Sequence, residues 1–433
     1  MTSPLRKVIL ATLGNLGPPA AAFFTAPILA QGLGVFERGQ VAAGTAPLML
    51  AASAATLGLP EAVTFFTARN QSVRNGRLAA KSIVMISIAG LVATALFLGL
   101  APVLAAGDEK VVLLIQLSLS MLIPSLILLI FRALSAGRGQ WGLIVLERSI
   151  GSVARLIAVL WLALSGHLDI VTATIAISVS MWIGLVAYLG LLFGAQRSGV
   201  AAQTRSSDLL GYGSRVWFGA LAGVLLSRVD QLMIAPLSSP SELGIYVVAV
   251  AIAELVLVFN NAVRDVYFAE ESRSPDMGRV ARAARISTIV TFVLAVTVGI
   301  VSIWGIPLLF GGEFSSALLP TWILLAAIVL GNPGSLAGAG LSAYGRPHLR
   351  SWSLLVALVA NVVIVLLLVP SLGAIGAALA TAVGNAIAAG MNLVWVRRIG
   401  VGATAKDFCA IRREDAATLV QLMTARFRRR GDA

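Results

Sequence analysis

Long apolar segments separated by short polar ones run along almost the whole chain. Segments such as "SIVMISIAGLVATALFLGLAPVLAA" (82–106) and "SLLVALVANVVIVLLLV" (353–369) have the length of about 20 residues that an α-helix needs to cross a bilayer. The pattern predicts an all-α polytopic membrane protein with twelve spans. In chain order, spans 1 to 12 are 7–31, 41–67, 82–106, 111–131, 141–164, 171–195, 213–235, 243–269, 286–310, 317–341, 351–370 and 373–395.

Composition supports this class and narrows the chemistry. The 433 residues are 58% hydrophobic and only 12% charged, whereas a soluble domain has about 25% charged residues. A single cysteine, Cys409, excludes an intramolecular disulfide, and two distant histidines, His167 and His348, argue against a metal centre. The sequence carries no phosphate-binding loop of the ATPase type and no catalytic constellation. We therefore expect a protein that is not an enzyme and that has no cofactor.

Basic residues are concentrated on one side of the predicted membrane. Of the 32 lysines and arginines, 25 lie in the termini and in the loops after even-numbered spans, and two lie in the opposite loops. The positive-inside rule therefore predicts cytoplasmic termini for a multi-pass protein of the bacterial cytoplasmic membrane. The net charge of +13 is accounted for by anionic membrane lipids, so no nucleic-acid partner is expected. Residues 411–430 fit either a basic amphipathic helix or a disordered tail.

The chain contains two similar halves. With an offset of 205 residues, Gly39 meets Gly244 and Pro102 meets Pro307, and a small further shift brings "LSAGRGQW" (134–141) onto "LSAYGRPHLRSW" (341–352). Because each half has six spans, the halves have the same orientation and are related by an axis along the membrane normal. The predicted units are an N-terminal lobe (1–195), a cytoplasmic linker (196–212), a C-terminal lobe (213–395) and a basic cytoplasmic tail (396–433).

Charged and amide side chains within the spans are the candidates for function. Such groups are unfavourable in hydrocarbon, so those that occur usually face a cavity or an ionic partner. We predict a cationic cavity between the lobes, although a structural ion pair such as Arg155–Glu254 would also explain these residues. The candidates for substrate binding are Arg148, Ser152, Arg155, Arg228, Asn260, Asn261 and Arg264, and those for ion coupling are Glu61, Asp230, Glu254 and Asp265.

Prolines in span 1 predict a discontinuous helix. Pro18, Pro19 and Pro27 each remove a backbone donor and clash with the preceding turn. Broken helices in transporters commonly line a binding cavity. We therefore expect span 1 to be kinked or broken beside the cavity.

The stretch "SRVDQLMIAPLSSPSELGIYVVAVAIAELVLVFNNAV" (227–263) resembles bacterial polysaccharide transporters of the Wzx-like flippase family. Asp230, Gly244 and Tyr246 lie at its matching positions, and "LGVFERGQVAA" (33–43) looks like the N-terminal version. This family belongs to a superfamily that also contains MATE drug exporters and lipid II flippases. The resemblance implies a V-shaped pair of six-helix lobes that moves an isoprenoid pyrophosphate-linked oligosaccharide to the outer leaflet.

Two other functions fit the sequence. A MATE-type exporter of organic cations would need an acidic, aromatic cavity, and a membrane scaffold for glycan assembly would depend on the basic tail. The flippase interpretation implies a lipid-linked glycan and membrane lipids as partners, with glycosyltransferases or a polymerase of the same pathway. Transport would be coupled to Na⁺ or H⁺ or driven by the glycan's own gradient.

Overall fold

The structure is a computed structural model that describes residues 4–69, 76–190, 206–271, 276–400 and 404–410. These residues are α-helical apart from short turns and 3-10 segments, and they contain no strand. The α-helices are Pro4–Ala55, Leu59–Arg69, Gly76–Leu104, Glu109–Leu119, Leu122–Gly137, Trp141–Leu164, Ile170–Ile183, Ser206–Leu237, Pro240–Glu271, Met277–Phe310, Leu318–Ala343, Pro347–Arg398 and Ala405–Cys409.

These helices form the twelve predicted spans. By length and apolarity, nine helical stretches of the described chain could cross a membrane. Two of them, in Pro4–Ala55 and Pro347–Arg398, each contain a pair of spans, because the backbone is non-helical at Gly34 and Gly373. Span 5 (Trp141–Leu164) is the remaining one, and its three charged residues make it less apolar. The all-α polytopic fold is therefore confirmed.

The helical array has two faces, which differ in the loops that they contain. The short-loop face contains the turns after odd-numbered spans, for example Gly34 after span 1 and Gly107 after span 3. The basic face contains the turns after even-numbered spans, which together with the two termini hold 25 of the 32 lysines and arginines. Asp169 caps span 6 at the short-loop face, and the backbone hydrogen bond from Thr172 holds the pKa of this carboxyl below its usual range.

Span 1 was expected to be kinked or broken at its prolines, and the described helix is not broken there. Within Pro4–Ala55 the backbone stays helical through Pro18, Pro19 and Pro27, and it departs from helical angles only at Gly34 (φ 72°, ψ 178°). Membrane helices tolerate proline because neighbouring helices and hydroxyl side chains can satisfy the freed carbonyls.

The discontinuous span is span 2, which the sequence predicted as one helix. Its helix ends at Ala55 and resumes at Leu59, and between them Leu57 (φ 47°) and Gly58 (φ 69°) take left-handed conformations. A leucine rarely adopts this conformation, which is unfavourable for any residue with a Cβ atom. The turn is therefore a specific feature of span 2.

The repeated phrase forms the same corner in both lobes. At the basic face, the Gln140 amide donates to the Ser135 carbonyl (2.8 Å), and the Arg346 amide donates to the Leu341 carbonyl (3.0 Å). In each corner a glycine, Gly139 or Gly345, takes the left-handed conformation that ends a helix in this way. The phrase is thus a structural corner that reverses the chain between two spans.

At the short-loop face the two lobes touch through a reciprocal pair of glycines. A Cβ on Gly39 would lie 1.7 Å from the Pro240 carbonyl oxygen, and a Cβ on Gly244 would lie 2.1 Å from the Val35 carbonyl oxygen. Both contacts obey the 205-residue offset, so they are related by the pseudo-two-fold axis. We call this contact the glycine seam. Only glycine allows the two backbones to approach so closely.

Other contacts close the same face. The Gln31 side chain donates a hydrogen bond of 2.8 Å to the Leu309 carbonyl, which joins span 1 to span 9. An apolar cluster joins span 1 to the start of span 10 and to the adjoining ends of spans 8 and 9; it contains Ala26, Ala30, Val248, Ile252, Ile306, Phe310, Phe314 and Ala317. The lobes are therefore sealed together at the short-loop face.

At the basic face the lobes meet through spans 2 and 7. A Cβ on Gly58 would lie 2.1 Å from the Gly213 carbonyl oxygen, so the turn in span 2 lets the two backbones approach. Two turns further along span 2, the rings of Phe65 and Tyr212 stack with their centroids 4.5 Å apart. The break in span 2 thus positions this second contact between the lobes.

The predicted linker and tail differ from the helix bounds. The helix of span 7 begins at Ser206, inside the linker predicted at 196–212, whose first ten residues lie outside the described chain. The short helix Ala405–Cys409 packs on the C-terminal lobe through Phe408, which is fully buried, and Arg285 donates to the Asp407 carbonyl (2.5 Å). The proposed amphipathic helix at 411–430 also lies outside the described residues.

The substitution Gly39→Ala tests the glycine seam. The added methyl group would overlap the Pro240 carbonyl, and overpacking of this kind is unfavourable by about 1–3 kcal/mol. We therefore expect the short-loop face to open more often. In a Cys409→Ser background, a cysteine placed at buried Val248 should react about fivefold or more faster with a thiol reagent.

Gly99→Ala is the matched control, because a Cβ at Gly99 meets no atom within 4 Å. Equal reaction rates in Gly39→Ala and Gly99→Ala would contradict the seam.

Candidate functional site

An ion pair stands on the C-terminal side of the lobe interface. Arg228 of span 7 donates from Nη2 to Oε1 of Glu254 in span 8 at 2.5 Å, and each side chain retains about a quarter of its surface accessible (28% and 27%). The pair lies within one lobe, because both spans belong to the C-terminal half. Arg228 is therefore already neutralised by a carboxylate.

Arg155 of span 5 faces this pair from the N-terminal lobe. It lies close enough to Glu254 for the two charges to attract each other across the interface. Its Nε atom is buried and has no hydrogen-bond partner among the described residues. The structure therefore differs from the alternative Arg155–Glu254 ion pair, because Arg228, and not Arg155, binds the Glu254 carboxylate.

A further arginine, Arg38, joins the group and was not among the predicted candidates. It lies in the first turn of span 2, next to the glycine seam. Arg155 is close enough to it for the two positive charges to repel each other. Its Nε atom is also buried without a partner in the described chain. The sequence contained a signal for Arg38, because the 205-residue offset pairs it with an apolar residue, Leu243. The structure buries Leu243 completely in the C-terminal lobe. An arginine in a register that is apolar in the other half marks a local function.

Ser152 and Arg148 continue the same helix towards the basic face. Ser152 Oγ is buried and has no partner in the described part of the chain, and a Cβ on Gly17 of span 1 would lie 3.3 Å from it. Arg148 is half-buried and lies near the ion pair that Arg132 forms with Glu147 (2.8 Å). Spans 1 and 5 therefore pack together, and the polar stripe of span 5 extends along that contact.

Asp230 forms a separate polar cluster inside the C-terminal lobe. It is only 2% exposed, and its Oδ2 accepts hydrogen bonds from Tyr246 Oη of span 8 and from Thr381 Oγ1 of span 12 (2.8 Å). Its Oδ1 accepts from the Gln231 amide (2.7 Å). Arg228 and Asp230, two residues apart on span 7, therefore contact different neighbours, and Tyr246 is a partner of Asp230.

Some predicted residues are not brought to the interface. Asn260 is buried at 7% exposure and accepts a hydrogen bond from Thr291 of span 9 (2.5 Å), so it packs inside the C-terminal lobe. Glu61 is exposed in the first turn of Leu59–Arg69. Asn261 and Arg264 are half-buried on span 8, and the side chain of Asp265 lies outside the described residues.

Four side chains thus form one row across the lobe interface, in the order Arg38, Arg155, Glu254 and Arg228. Three guanidinium groups and one carboxylate give the row a net charge of +2. We call it the arginine row. In surroundings of low dielectric constant such an excess of charge is unfavourable unless water or an anion compensates it. The row is therefore suited to an anionic ligand.

Solved structures share this fold at low sequence identity. The lipid II flippase MurJ in an inward closed conformation matches with a TM-score of 0.74 at 14% identity, and covers 92% of this chain and 89% of that one. An inward-facing multidrug resistance MATE family transporter of the MOP superfamily matches with a TM-score of 0.69 at 17% identity, covering 90% and 98%. The two-lobed MATE-like fold is confirmed by these matches.

One curated relative is similar over part of the chain. The probable low-salt glycan biosynthesis flippase Agl15 of Haloferax volcanii is 26% identical over 189 residues. The match covers 42% of this chain and 40% of that protein, so it spans less than half of either.

A family model described as polysaccharide biosynthesis protein matches residues 5–268. The matched part includes the N-terminal lobe from residue 5 onward, the glycine seam and every residue of the arginine row. It also includes Asp230 and Tyr246, which carry the resemblance seen in the sequence. The chain therefore belongs to the polysaccharide biosynthesis protein family.

Proposed function

We propose that this protein is a flippase that moves a lipid-linked oligosaccharide from the cytoplasmic to the outer leaflet. The lipid is an isoprenoid pyrophosphate, and the product serves polysaccharide or cell-envelope biosynthesis. The observation that carries the proposal is the arginine row, with its net charge of +2 between two lobes of a transporter fold. Membership of the polysaccharide biosynthesis family and the similarity to Agl15 support the glycan as cargo.

The chemistry of the row fits a pyrophosphate. Guanidinium groups present paired N–H donors that bind two phosphate oxygens at once, and such charge-assisted hydrogen bonds are stronger than neutral ones. A pyrophosphate in hydrocarbon is as unfavourable as an unpaired arginine, so each group compensates the other. The sugar would occupy the interface, and the isoprenoid chain would stay in the surrounding lipid.

Alternating access follows from the contacts between the lobes. The positive-inside rule assigns the basic face to the cytoplasm, and the glycine seam seals the opposite face. The state described here is therefore closed towards the outside. Rocking of the lobes would break the glycine seam and release the cargo into the outer leaflet. The protein would be a multi-pass component of a bacterial cytoplasmic membrane, and enzymes that build or polymerise the glycan are its expected partners.

Asp230 supports coupling to Na⁺ or H⁺. Its carboxylate, the Tyr246 hydroxyl and the Thr381 hydroxyl bring oxygen atoms from spans 7, 8 and 12 to one buried point. Oxygen atoms are the ligands that hard cations prefer, and a buried carboxylate can instead take up a proton. Either event would change how three spans of one lobe pack, which is what coupling requires.

Export of organic cations and scaffolding of glycan assembly would depend on different residues from those of a flippase. Export of organic cations would need an excess of carboxylates at the lobe interface, whereas the arginine row has an excess of guanidinium groups. A scaffold for glycan assembly would depend on the tail after Gly400 and would be insensitive to the row.

Neutralising Arg155 tests the proposed function. In a bacterial strain that depends on this protein for glycan export, Arg155→Gln should lower surface glycan about tenfold or more, because a charge-assisted hydrogen bond contributes about 1.5–3 kcal/mol. Arg279→Gln is the matched control, since Arg279 is an exposed arginine of the basic face and its loss should leave export unchanged.

Normal export by Arg155→Gln at equal protein abundance would contradict the proposal. Export that is lost only when the tail after Gly400 is deleted would favour the scaffold.

Substituting Asp230 tests ion coupling. Asp230→Asn keeps the size of the side chain and removes its charge, so the site can no longer bind a cation or take up a proton. In proteoliposomes the wild-type transport rate should respond to an imposed Na⁺ or H⁺ gradient, and the variant should lose most of this response. Asp276→Asn, at an exposed carboxylate of the basic face, should behave like the wild type. An unchanged gradient response in Asp230→Asn would contradict coupling through this residue.

A further inference from the structure

We propose that Arg38 and Arg155 together form the anion-binding site of the lobe interface, and that they hold the phosphate-bearing part of the cargo. The identity of the ligand as a lipid pyrophosphate rests on the proposed function. The assignment of the site to these two residues rests on their burial, their unsatisfied donors and their place in the arginine row.

Both side chains are enclosed by protein but not fully covered. Each lies deep within the helical array, and each retains part of its surface accessible. This combination is expected for groups that line a space between the lobes. The Nε atoms of both are buried and have no hydrogen-bond partner among the described residues. A buried guanidinium donor without a partner is unfavourable, so the site is incomplete as it stands.

The nearby carboxylate cannot complete it. Glu254 is bound by Arg228 at 2.5 Å, and it acts on Arg155 only by attraction at longer range. Arg38 has no carboxylate partner within the part of the chain that is described, and the main charge near it is the like charge of Arg155. Two like charges with free donors favour a ligand that carries more than one negative charge.

The donor chemistry of the pair suits a phosphate. Two guanidinium forks can each hold a pair of oxygens, and a pyrophosphate offers such pairs on both phosphorus atoms. Ser152 lies one turn before Arg155 on the same span, and its unpaired Oγ offers a further donor. Arg228 contributes less to this site because its charge is already balanced.

The pair of Arg38 and Arg155 lies next to the glycine seam. Arg38 immediately precedes Gly39, whose backbone forms the glycine seam with Pro240 and Gly244. A ligand on this pair would therefore lie at the closed end of the lobe interface, next to the contact that must open for release. The lobes also meet at the basic face, through spans 2 and 7, so a ligand would reach the pair when the lobes part at one of the two faces.

Binding to the purified full-length protein tests the pair. The protein is placed in nanodiscs of phosphatidylcholine, which has no net charge, and its melting temperature and Kd are measured with farnesyl pyrophosphate, inorganic pyrophosphate and farnesol. We expect farnesyl pyrophosphate to bind and stabilise the wild type, and farnesol to do neither. Binding of inorganic pyrophosphate as well would indicate that the phosphates alone suffice; its absence would indicate that the lipid chain contributes.

The variants Arg38→Gln and Arg155→Gln should each bind farnesyl pyrophosphate about tenfold to hundredfold more weakly. Without ligand they should melt no lower than the wild type, because each removes the repulsion between the two cations. This second readout separates loss of the site from loss of the fold. Arg38→Lys keeps the charge but not the fork, and should bind with intermediate affinity. Arg279→Gln is the control and should bind like the wild type.

The assignment of the anion site to Arg38 and Arg155 would be overturned if both glutamine variants retained wild-type affinity. It would also be overturned if farnesol bound as tightly as farnesyl pyrophosphate. These outcomes are independent of transport. If Arg38→Gln loses pyrophosphate binding but the wild type flips no lipid-linked glycan, the anion site stands and the proposed function fails. If the wild type flips the lipid and both glutamine variants bind it normally, the function stands and the pair fails.

Discussion

The close approach of the two lobes at Gly39 and Gly244 is the contact on which the rest of the arrangement depends. Each glycine faces a carbonyl of the opposite lobe, Pro240 or Val35, so the contact is the same from both sides. Backbones at this separation leave no room for a side chain, and the lobes are therefore held in register at one face. Arg38, at one end of the arginine row, directly precedes Gly39 and takes its position from this contact.

Charge gives this packing its function. A membrane interior strongly disfavours isolated cations, so an excess of arginine is retained only where a ligand or water repays it. Arg228 has Glu254 as its partner, whereas Arg38 and Arg155 have none in the described chain. The imbalance turns a structural contact between lobes into a site with a preference for anions. Asp230, buried with Tyr246 and Thr381, is set apart within the C-terminal lobe and is available for a different task.

The fold was largely predictable because two strong sequence patterns, the long apolar segments and the internal repeat, indicate the same architecture. Apolar length determined twelve spans, and the 205-residue offset identified the repeat and aligned Gly39 with Gly244. Local geometry was less predictable. The prolines of span 1 indicated a break that is absent, since a membrane helix can accommodate proline, while span 2 breaks at Leu57, a residue with no such signal. Asn260 looked like a cavity residue by spacing, but helix periodicity does not show which neighbour a face contacts. Arg38 was assigned to a loop although its buried counterpart Leu243 indicates an interior position.

The most direct test of the central claim is lipid movement by the purified protein. Proteoliposomes would contain either a fluorescent disaccharide on an isoprenyl pyrophosphate or the same disaccharide on the isoprenyl lipid through an uncharged linkage, and an impermeant reagent would report the lipid in the outer leaflet. The account predicts protein-dependent movement of the pyrophosphate lipid and little movement of the uncharged one. Equal movement of both lipids, or movement of neither, would contradict it.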